Sequence, residues 1–170
     1  GVGKTSLAKR IADALDADSA NSREVRQKLV QRSRYEVANN AYADGIAQTI
    51  TNDLVGVGPS LRMLTGSTGF NQMVEREWQL WADAVGFHRK LWCMGHAKHV
   101  DGEGLAVLRR NPRINHPIKR DVVLYETEQC QTPYIPYDDP RRIDGIVLDE
   151  FGNPALYEFL RYHPGSANIA

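Results

Sequence analysis

The sequence predicts an α+β fold in which a helical N-terminal half precedes a β-rich region of short antiparallel strands. Up to residue 103, apolar residues recur every three or four positions, which is the spacing of one face of an α-helix. From residue 104 onward the apolar runs are short and are bounded by Gly, Pro, Asn and Asp, as is typical of strands joined by turns. This order favours α+β over alternating βαβ units. We therefore expect a helical segment at 16–103 and a β-rich segment at 104–170, with residues 1–15 forming a separate unit.

The composition is that of an ordinary globular chain of 170 residues, 42% of them hydrophobic and 25% charged. Because 21 basic residues balance 21 acidic ones, the net charge suggests neither a nucleic-acid nor a membrane partner. Five basic residues and one acid between Arg23 and Arg34 favour a solvated helix face or an interface. Cys93 and Cys130 form no CxxC pair, which favours a reduced, cytosolic protein.

No apolar run approaches the length of a membrane span, and no signal peptide precedes the body. Because the chain begins with Gly1 rather than Met, we expect it to be a piece of a longer protein.

Two helices are predicted before residue 40. The first covers Ser6–Leu15, with one apolar face formed by Leu7, Ile11 and Leu15. The second begins after Ser22, whose hydroxyl can accept a free first-turn amide, and ends at Asn39. We expect its buried side to carry Val25, Leu29 and Val37.

Three more helices and one short strand are predicted before residue 104. Asn39-Asn40 interrupts the pattern, and the next helix, ended by Gly56–Pro59, is expected to bury Ile46, Ala47, Ile50 and Leu54. A short strand is expected around Leu61 and Met63. A helix over Asn71–Val85 is expected to bury Val74, Trp78, Trp81 and Val85. A helix over His88–Val100, apolar at Leu91–Met94, is expected to be deeply packed.

The β-rich segment is predicted to contain four strands, Leu105–Leu108, Val122–Tyr125, Ile146–Leu148 and Leu156–Leu160. Asn111–Pro117 fits a loop between two of them. Asp149–Pro154 fits a hairpin connection in which Gly152 and Asn153 can take positive φ. Side-chain alternation in the last strand predicts that at least one of its faces packs on the helical half.

The first residues suggest a nucleotide-binding loop. Gly3-Lys4-Thr5 followed by a helix resembles the Walker A loop of AAA-type ATPases, in which lysine reaches phosphate and the hydroxyl holds magnesium. Asp149 and Glu150, after an apolar strand, are the candidate Walker B pair, and a strand that runs into a hairpin is the alternative interpretation. The opening glycine and its preceding strand are not in the sequence, so we expect a vestige rather than an ATP site.

Several collinear segments resemble the lambda-like family of tailed-phage portal proteins from about residue 16 to residue 170. The segments are Ser33–Asn40, Asn52–Pro59, Glu77–Ala82, Val100–Gly104, Asp144–Pro154 and His163–Gly165. The join near Leu15 and Asp16, where one resemblance replaces the other, is explained most simply by a chimeric reading frame or a mis-assembled sequence.

The portal resemblance implies a wing-like α+β structure without catalytic residues, cofactor or metal. It also implies a homo-oligomeric ring at one capsid vertex, made in the host cytoplasm and carried in the virion. DNA would pass through the ring, and terminase, capsid and tail-completion proteins would be its partners, with no membrane involved.

Two other clusters have a functional and a structural interpretation. The first cluster is a possible set of metal ligands, namely Cys93, His96, His99, Asp101 and Glu103. We favour the interpretation that these are polar residues on a partly exposed helix.

The second cluster is a possible platform for stacking nucleic-acid bases, namely Trp78, Trp81 and Trp92. We favour the interpretation that these tryptophans pack in the core.

Overall fold

The computed structural model describes residues 22–132 and 139–166. Four helices come first and short antiparallel strands follow, so the predicted α+β fold is confirmed. The helices are α1 Arg23–Asn39, α2 Ala41–Val55, α3 Thr68–Val85 and α4 Phe87–Val100. The strands are β1 Leu105–Arg110, β2 Arg120–Tyr125, β3 Arg142–Ile143, β4 Ile146–Leu148 and β5 Pro154–Tyr157, with a 3-10 turn at Thr127–Gln129. The predicted helix Ser6–Leu15 lies outside the described residues.

The first two helices begin with different kinds of cap. The predicted hydroxyl cap of α1 is wrong, because Ser22 makes no side-chain capping bond and its carbonyl accepts a hydrogen bond from Arg26 N at 2.9 Å. Asn40, the single residue between α1 and α2, does cap α2, since its side chain accepts from Tyr42 N at 3.0 Å. The predicted interruption at this point is therefore confirmed, and the amide of Asn40 supplies its physical cause.

The buried side of α1 is rotated by one residue from the prediction. Leu29 is 57% exposed, whereas its neighbour Val30 is 5% exposed, and Val25 and Val37 are only half-buried. Val30 faces inward because it lines a small space together with Cys130 and the 3-10 turn. The β-rich region thus decides which side of α1 is covered.

Helix α2 packs through small residues and leaves its large apolar residues outside. Ala47 and Thr51 are buried, and the Thr51 hydroxyl donates to Ala47 O at 2.7 Å. A Cβ placed on Gly95 of α4 would lie 3.6 Å from Thr51 Cγ2, so the two helices approach closely at these residues. The predicted buried stripe is therefore wrong at its three large members, which are more than 40% exposed: Ile46, Ile50 and Leu54.

Helices α3 and α4 meet at Gly86, whose φ of +63° lets one helix end and the next begin without a linker. Helix α3 begins at Thr68, three residues before the predicted start, because the side chain of Ser67 accepts from Phe70 N at 3.5 Å. In α3, Ala82 and Val85 are buried.

The prediction that α4 is deeply packed is wrong. Leu91, Trp92 and Met94 are half-buried, Cys93 is exposed, and Gly95 is the buried residue of the helix. Helix α4 approaches α2 most closely at Gly95, and its larger apolar residues stay partly exposed.

The predicted strand around Leu61 and Met63 is absent from the described residues, where 58–64 form neither helix nor strand. This segment is held by α3 instead of by another strand. Met63 N donates to Glu75 Oε1 at 2.8 Å, and the side-chain amide of Asn71 donates to Thr65 O at 3.0 Å.

The first sheet is an antiparallel pair of β1 and β2, in register from Leu105 opposite Tyr125 to Arg110 opposite Arg120. Both strands are two residues longer than predicted, β1 at its C-terminal end and β2 at its N-terminal end. The connecting loop over 111–119 contains the segment predicted to be a loop.

The second sheet has the order β3-β4-β5 and is antiparallel throughout. Strand β4 has the predicted bounds, whereas β3, only two residues long, gave no recognisable sequence pattern. Strand β5 ends at Tyr157 rather than Leu160, because Tyr157 lies opposite Ile146, the first residue of β4. A register shift between Val147 and Leu148 lies near the beginning of β5. Beyond it, Phe159 forms an isolated bridge with Cys130.

Strand β5 does not pack on the helices. All four residues of Pro154–Tyr157 are exposed, so the predicted packing of one face on the helical half is wrong for this strand. The sheet is joined to α1 instead by the β3–β4 turn, where Asp144 contacts Arg23 and Arg26.

Candidate functional site

A polar cluster joins α1 to the start of the β-rich region. Arg34 donates from Nε to Asp101 Oδ1 at 2.8 Å and from Nη2 to Asp101 Oδ2 at 2.7 Å. The same guanidinium donates to Glu128 at 2.9 Å and lies 3.7 Å from Glu126. His163 Nε2 lies 3.6 Å from both glutamates. We call these five residues the Arg34 cluster.

The electrostatics of the Arg34 cluster favour a charged arginine. The pKa of Arg34 is raised, first by its hydrogen bonds to Asp101 and then by the negative charges around it, against the opposing effect of burial. The Asp101 side chain is 8% exposed, so it depends on Arg34 for compensation of its charge. The cluster therefore fixes the orientation of α1 relative to residues 101 and 126–128.

Three members of the Arg34 cluster have the chemistry of metal ligands. One ligand atom each from Glu126, Glu128 and His163 lie within 4.8 Å of one another. The Arg34 guanidinium contacts the same two carboxylates, at 2.9 Å for Glu128 and 3.7 Å for Glu126, and it shares its single positive charge between them and Asp101. The three residues are therefore part of an ion-pair cluster.

A second contact attaches the second sheet to α1. Asp144 has a φ of +46°, and its carboxylate contacts Arg26 and lies 3.6 Å from Arg23 Nε. The next residue, Gly145, has a φ of +91°, and a Cβ there would lie 2.6 Å from Gln131 N. Glycine is therefore required at position 145, where the β3–β4 turn packs against the backbone that follows the 3-10 turn Thr127–Gln129.

The predicted nucleotide-binding residues divide between two parts of the chain. Gly3, Lys4 and Thr5 lie outside the described residues. Asp149 and Glu150 lie in the β4–β5 turn, which supports the hairpin interpretation of this segment. The Asp149 carboxylate accepts from the backbone amides of residues 153 and 151 at 2.8 and 2.9 Å, and the first of these bonds is the main cause of its lowered pKa.

The candidate metal ligands in α4 and directly after it have different surroundings. Cys93 is exposed, and His96 stacks on Trp92 with the ring centroids 5.0 Å apart. His99 is exposed. Asp101 binds Arg34, and the carboxylate of Glu103 lies 3.9 Å from Arg26. Within residues 22–132 and 139–166 these side chains form no convergent group of ligands.

The tryptophans of α3 border an apolar groove instead of filling a closed core. Trp78 and Trp81 are half-buried and pack around Phe87, with ring centroids 6.3 and 5.5 Å away. Trp81 Nε1 donates to Arg120 O at 2.8 Å. The groove, which we call the α3 groove, has a volume of about 330 Å³ and is lined by Leu61, Met73, Val74, Trp78, Trp81 and Ile118, with Glu77 at its side.

A second apolar surface lies on α2. Its members are 85%, 61%, 43% and 63% exposed, and they recur every four residues: Tyr42, Ile46, Ile50 and Leu54. We call this surface the α2 ridge. The spacing of the residues was visible in the sequence, but the periodicity alone could not show that the neighbouring face of α2, with Ala47 and Thr51, is the buried one.

The basic run of α1 indicated that this helix makes ionic contacts, but no sequence pattern identified the residues that it contacts. The basic run of α1 was expected to be a solvated face or an interface. Arg23 and Arg26 are paired with amide or acidic groups of the β-rich half, and Arg34 is paired with Asp101 and Glu128. Lys28 and Arg32 are exposed. Most of the run therefore forms an interface within the chain.

The described residues therefore combine ion-paired contacts between α1 and the rest of the fold with open apolar surfaces on α2 and α3. The sequence profile described as phage portal protein, lambda family, matches residues 4–170. The chain therefore belongs to the lambda family of phage portal proteins, as its sequence segments predicted. The matched range begins upstream of residue 16 and includes Lys4 and Thr5.

No curated protein matches the chain. Within the described residues, no helix is both long enough and apolar enough to cross a bilayer.

Proposed function

We propose that the chain is a structural subunit of a phage head–tail connector, the portal ring at one capsid vertex. The observation that carries this proposal is the family match over residues 4–170. Portal membership implies a virion component that assembles as an oligomeric ring. The structure supports an assembly role because its large apolar residues on α2 and α3 are open to solvent.

The proposed ring encloses the path of DNA during packaging and ejection, and it docks the terminase, the capsid and the tail-completion proteins. It forms in the host cytoplasm before it enters the virion. The balance of 21 basic and 21 acidic residues suits a conduit, because many phosphate contacts would hold DNA instead of letting it pass.

Deletion of the reading frame from its phage tests the portal role. We expect heads without packaged DNA, and restoration of infectious particles when the wild-type gene is supplied from a plasmid. Packaged, infectious particles from the deletion phage would contradict the proposal. The control is a plasmid that carries the gene with an early frameshift. It shows whether restoration requires the protein itself and not only the DNA that encodes it.

The alternative function is ATP binding through Gly3, Lys4 and Thr5, and the Gly3-Lys4-Thr5 sequence is the observation in its favour. The candidate Walker B residue Asp149 is engaged by turn amides, which counts against it. We expect isothermal titration with ATP and magnesium to show no saturable binding. Saturable binding that is lost in the Lys4→Ala variant would establish the alternative.

A further inference from the structure

We propose that the outer face of the β1–β2 hairpin binds an acidic segment of another polypeptide. The hairpin, Leu105–Tyr125, carries five of the chain's 21 basic residues but only one of its 21 acidic ones. Its outer face combines two arginines with an apolar strip. The inference is independent of the portal role, because it rests on the charge and the packing of the hairpin alone.

Side-chain alternation along β1 separates an inner face of the hairpin from an outer one. Leu105 and Val107 are half-buried and belong to the inner face. Ala106, Leu108 and Arg110 are exposed and belong to the outer face. The strand register adds the residues opposite them, so the outer face consists of three cross-strand pairs: Ala106 with Leu124, Leu108 with Val122, and Arg110 with Arg120.

The pair of Arg110 and Arg120 is unfavourable in the free protein. The two residues lie directly opposite each other, with Cβ atoms about 5 Å apart, and like charges in this position destabilise a sheet. Both are exposed, and neither makes an ion pair within the part of the chain that the structure describes. The one acid of the hairpin is engaged elsewhere, since Asp121 accepts from Lys90 Nζ at 2.5 Å and from Asn111 Nδ2 at 2.9 Å. A carboxylate bound between the two guanidinium groups would remove their repulsion.

The loop that joins the two strands is fixed, so a partner meets a preformed surface. Ile114 and His116 are buried, at 7% and 8% exposure. Ile114 O accepts from Lys119 Nζ at 2.7 Å, and Asn111 N donates to Lys119 O at 2.8 Å. Arg113 is exposed in this loop and adds a third guanidinium at the basic end of the hairpin. Binding at this end therefore costs little ordering of the backbone.

The apolar strip favours a polypeptide over a nucleic acid as the occupant. Binding to a nucleic-acid backbone is driven by positive charge. Leu108, however, is 65% exposed on the same face as the arginines, and an aliphatic side chain can cover it. Arginine also binds carboxylates with paired hydrogen bonds. The face therefore fits an extended segment with apolar side chains over Leu108 and carboxylates between Arg110 and Arg120.

Fluorescence anisotropy of the full chain with a synthetic probe tests the proposal. The probe is a labelled peptide in which serines alternate first with leucines and then with glutamates. We expect saturable binding by wild type and about tenfold weaker binding by Arg110→Gln and by Arg120→Gln. Arg32→Gln, at an exposed arginine of α1, is the matched control and should bind as wild type does. A second probe with glutamine in place of glutamate should not bind.

Thermal melting at low ionic strength checks the like-charge pair without a ligand. Because Arg110→Gln and Arg120→Gln each remove one of two opposed charges, both variants should melt about 1–2 °C above wild type. A saturating concentration of the first probe should raise the melting temperature of wild type more than that of either variant. A residue with a purely structural role would lower the melting temperature when replaced.

Four results would overturn the inference: no saturable binding by wild type, equal binding by wild type and both variants, equal binding of the two probes, or variants that melt below wild type. Tighter binding of a DNA duplex than of the first probe, lost in the same variants, would assign the face to phosphate and overturn it too. The deletion phage measures the portal role separately, so that role can stand while this inference fails.

Discussion

Arg34 joins α1 to two distant parts of the chain. It binds Asp101 with two hydrogen bonds and Glu128 with a third, while its own side chain is about one third exposed. Arg34 lies in one of the segments that resemble portal proteins, yet no sequence pattern identifies its partners, which lie 67 and 94 residues further along the chain.

Replacement of Arg34 by glutamine should destabilise the fold by about 2 kcal/mol, since Asp101 would remain 8% exposed with its charge uncompensated. Chemical denaturation followed by circular dichroism measures this change. Arg32→Gln, at an exposed position on the same helix, is the matched control and should change stability by less than about 0.5 kcal/mol. Equal effects of the two variants would show that the Arg34 cluster contributes nothing specific.

The ionisation of Asp121 should make the free energy of unfolding depend on pH in the acid range. Burial alone would raise its pKa, but hydrogen bonds from Lys90 at 2.5 Å and Asn111 at 2.9 Å outweigh burial and lower the pKa below 3.8. The folded protein therefore binds this proton less readily than the unfolded chain does. The contribution of Asp121 is complete above pH 3.8 and is lost as pH falls through the lowered pKa.

We accordingly expect Asp121→Asn to cost about 1 kcal/mol at pH 7 and progressively less below pH 3.8. Urea denaturation of both proteins at several pH values measures the difference. A wild-type to Asp121→Asn difference that is constant with pH would contradict this account.

At the scale of elements, the β4–β5 hairpin shows what local sequence can specify. Asp149 accepts the amides of Phe151 and Asn153, and Gly152 takes a φ of +82°. The turn was predicted from these residue types, and of the two residues able to take a positive φ, Gly152 takes it and Asn153 does not. Turn chemistry is local, and so the sequence reveals it.

Gly152→Val should destabilise the protein by about 1–3 kcal/mol through backbone strain, because valine rarely adopts a φ of +82°. No atom lies within 4 Å of the position a Cβ would take, so steric overlap does not contribute. Gly66→Val, at an equally open loop glycine without a positive φ, is the matched control. Thermal melting compares the two, and an unchanged melting temperature for Gly152→Val would contradict the hairpin geometry.

The bounds of the helices were easier to predict than the face that each helix buries. Helix α4 begins one residue before its prediction and ends where it was predicted to end, whereas on α2 the large residues Ile46 and Leu54 are exposed and Thr51 is buried. Periodicity identifies a helix but not the partner that covers it. Here the partner is Gly95 of α4, which approaches Val55 and Thr51, and its contact with Thr51 links residues 44 positions apart.

At the scale of the whole molecule, the described residues bury few large apolar side chains. The buried hydrophobic residues are Val30, Ala47, Ala82, Val85, Ile114 and Cys130, while many larger ones are more than 40% exposed. The proposed role as a ring subunit accounts for this distribution, because neighbouring subunits would then cover part of the apolar surface. The family could be predicted from collinear sequence segments, but the open apolar surfaces of α2 and α3 became visible only in the fold.

The most direct test of the portal role is electron microscopy of the protein as its gene encodes it, purified under mild conditions. The account predicts closed rings with a central channel, and cyclic averages with one rotational symmetry. A protein that is strictly monomeric in these images and in analytical ultracentrifugation would contradict the portal assignment.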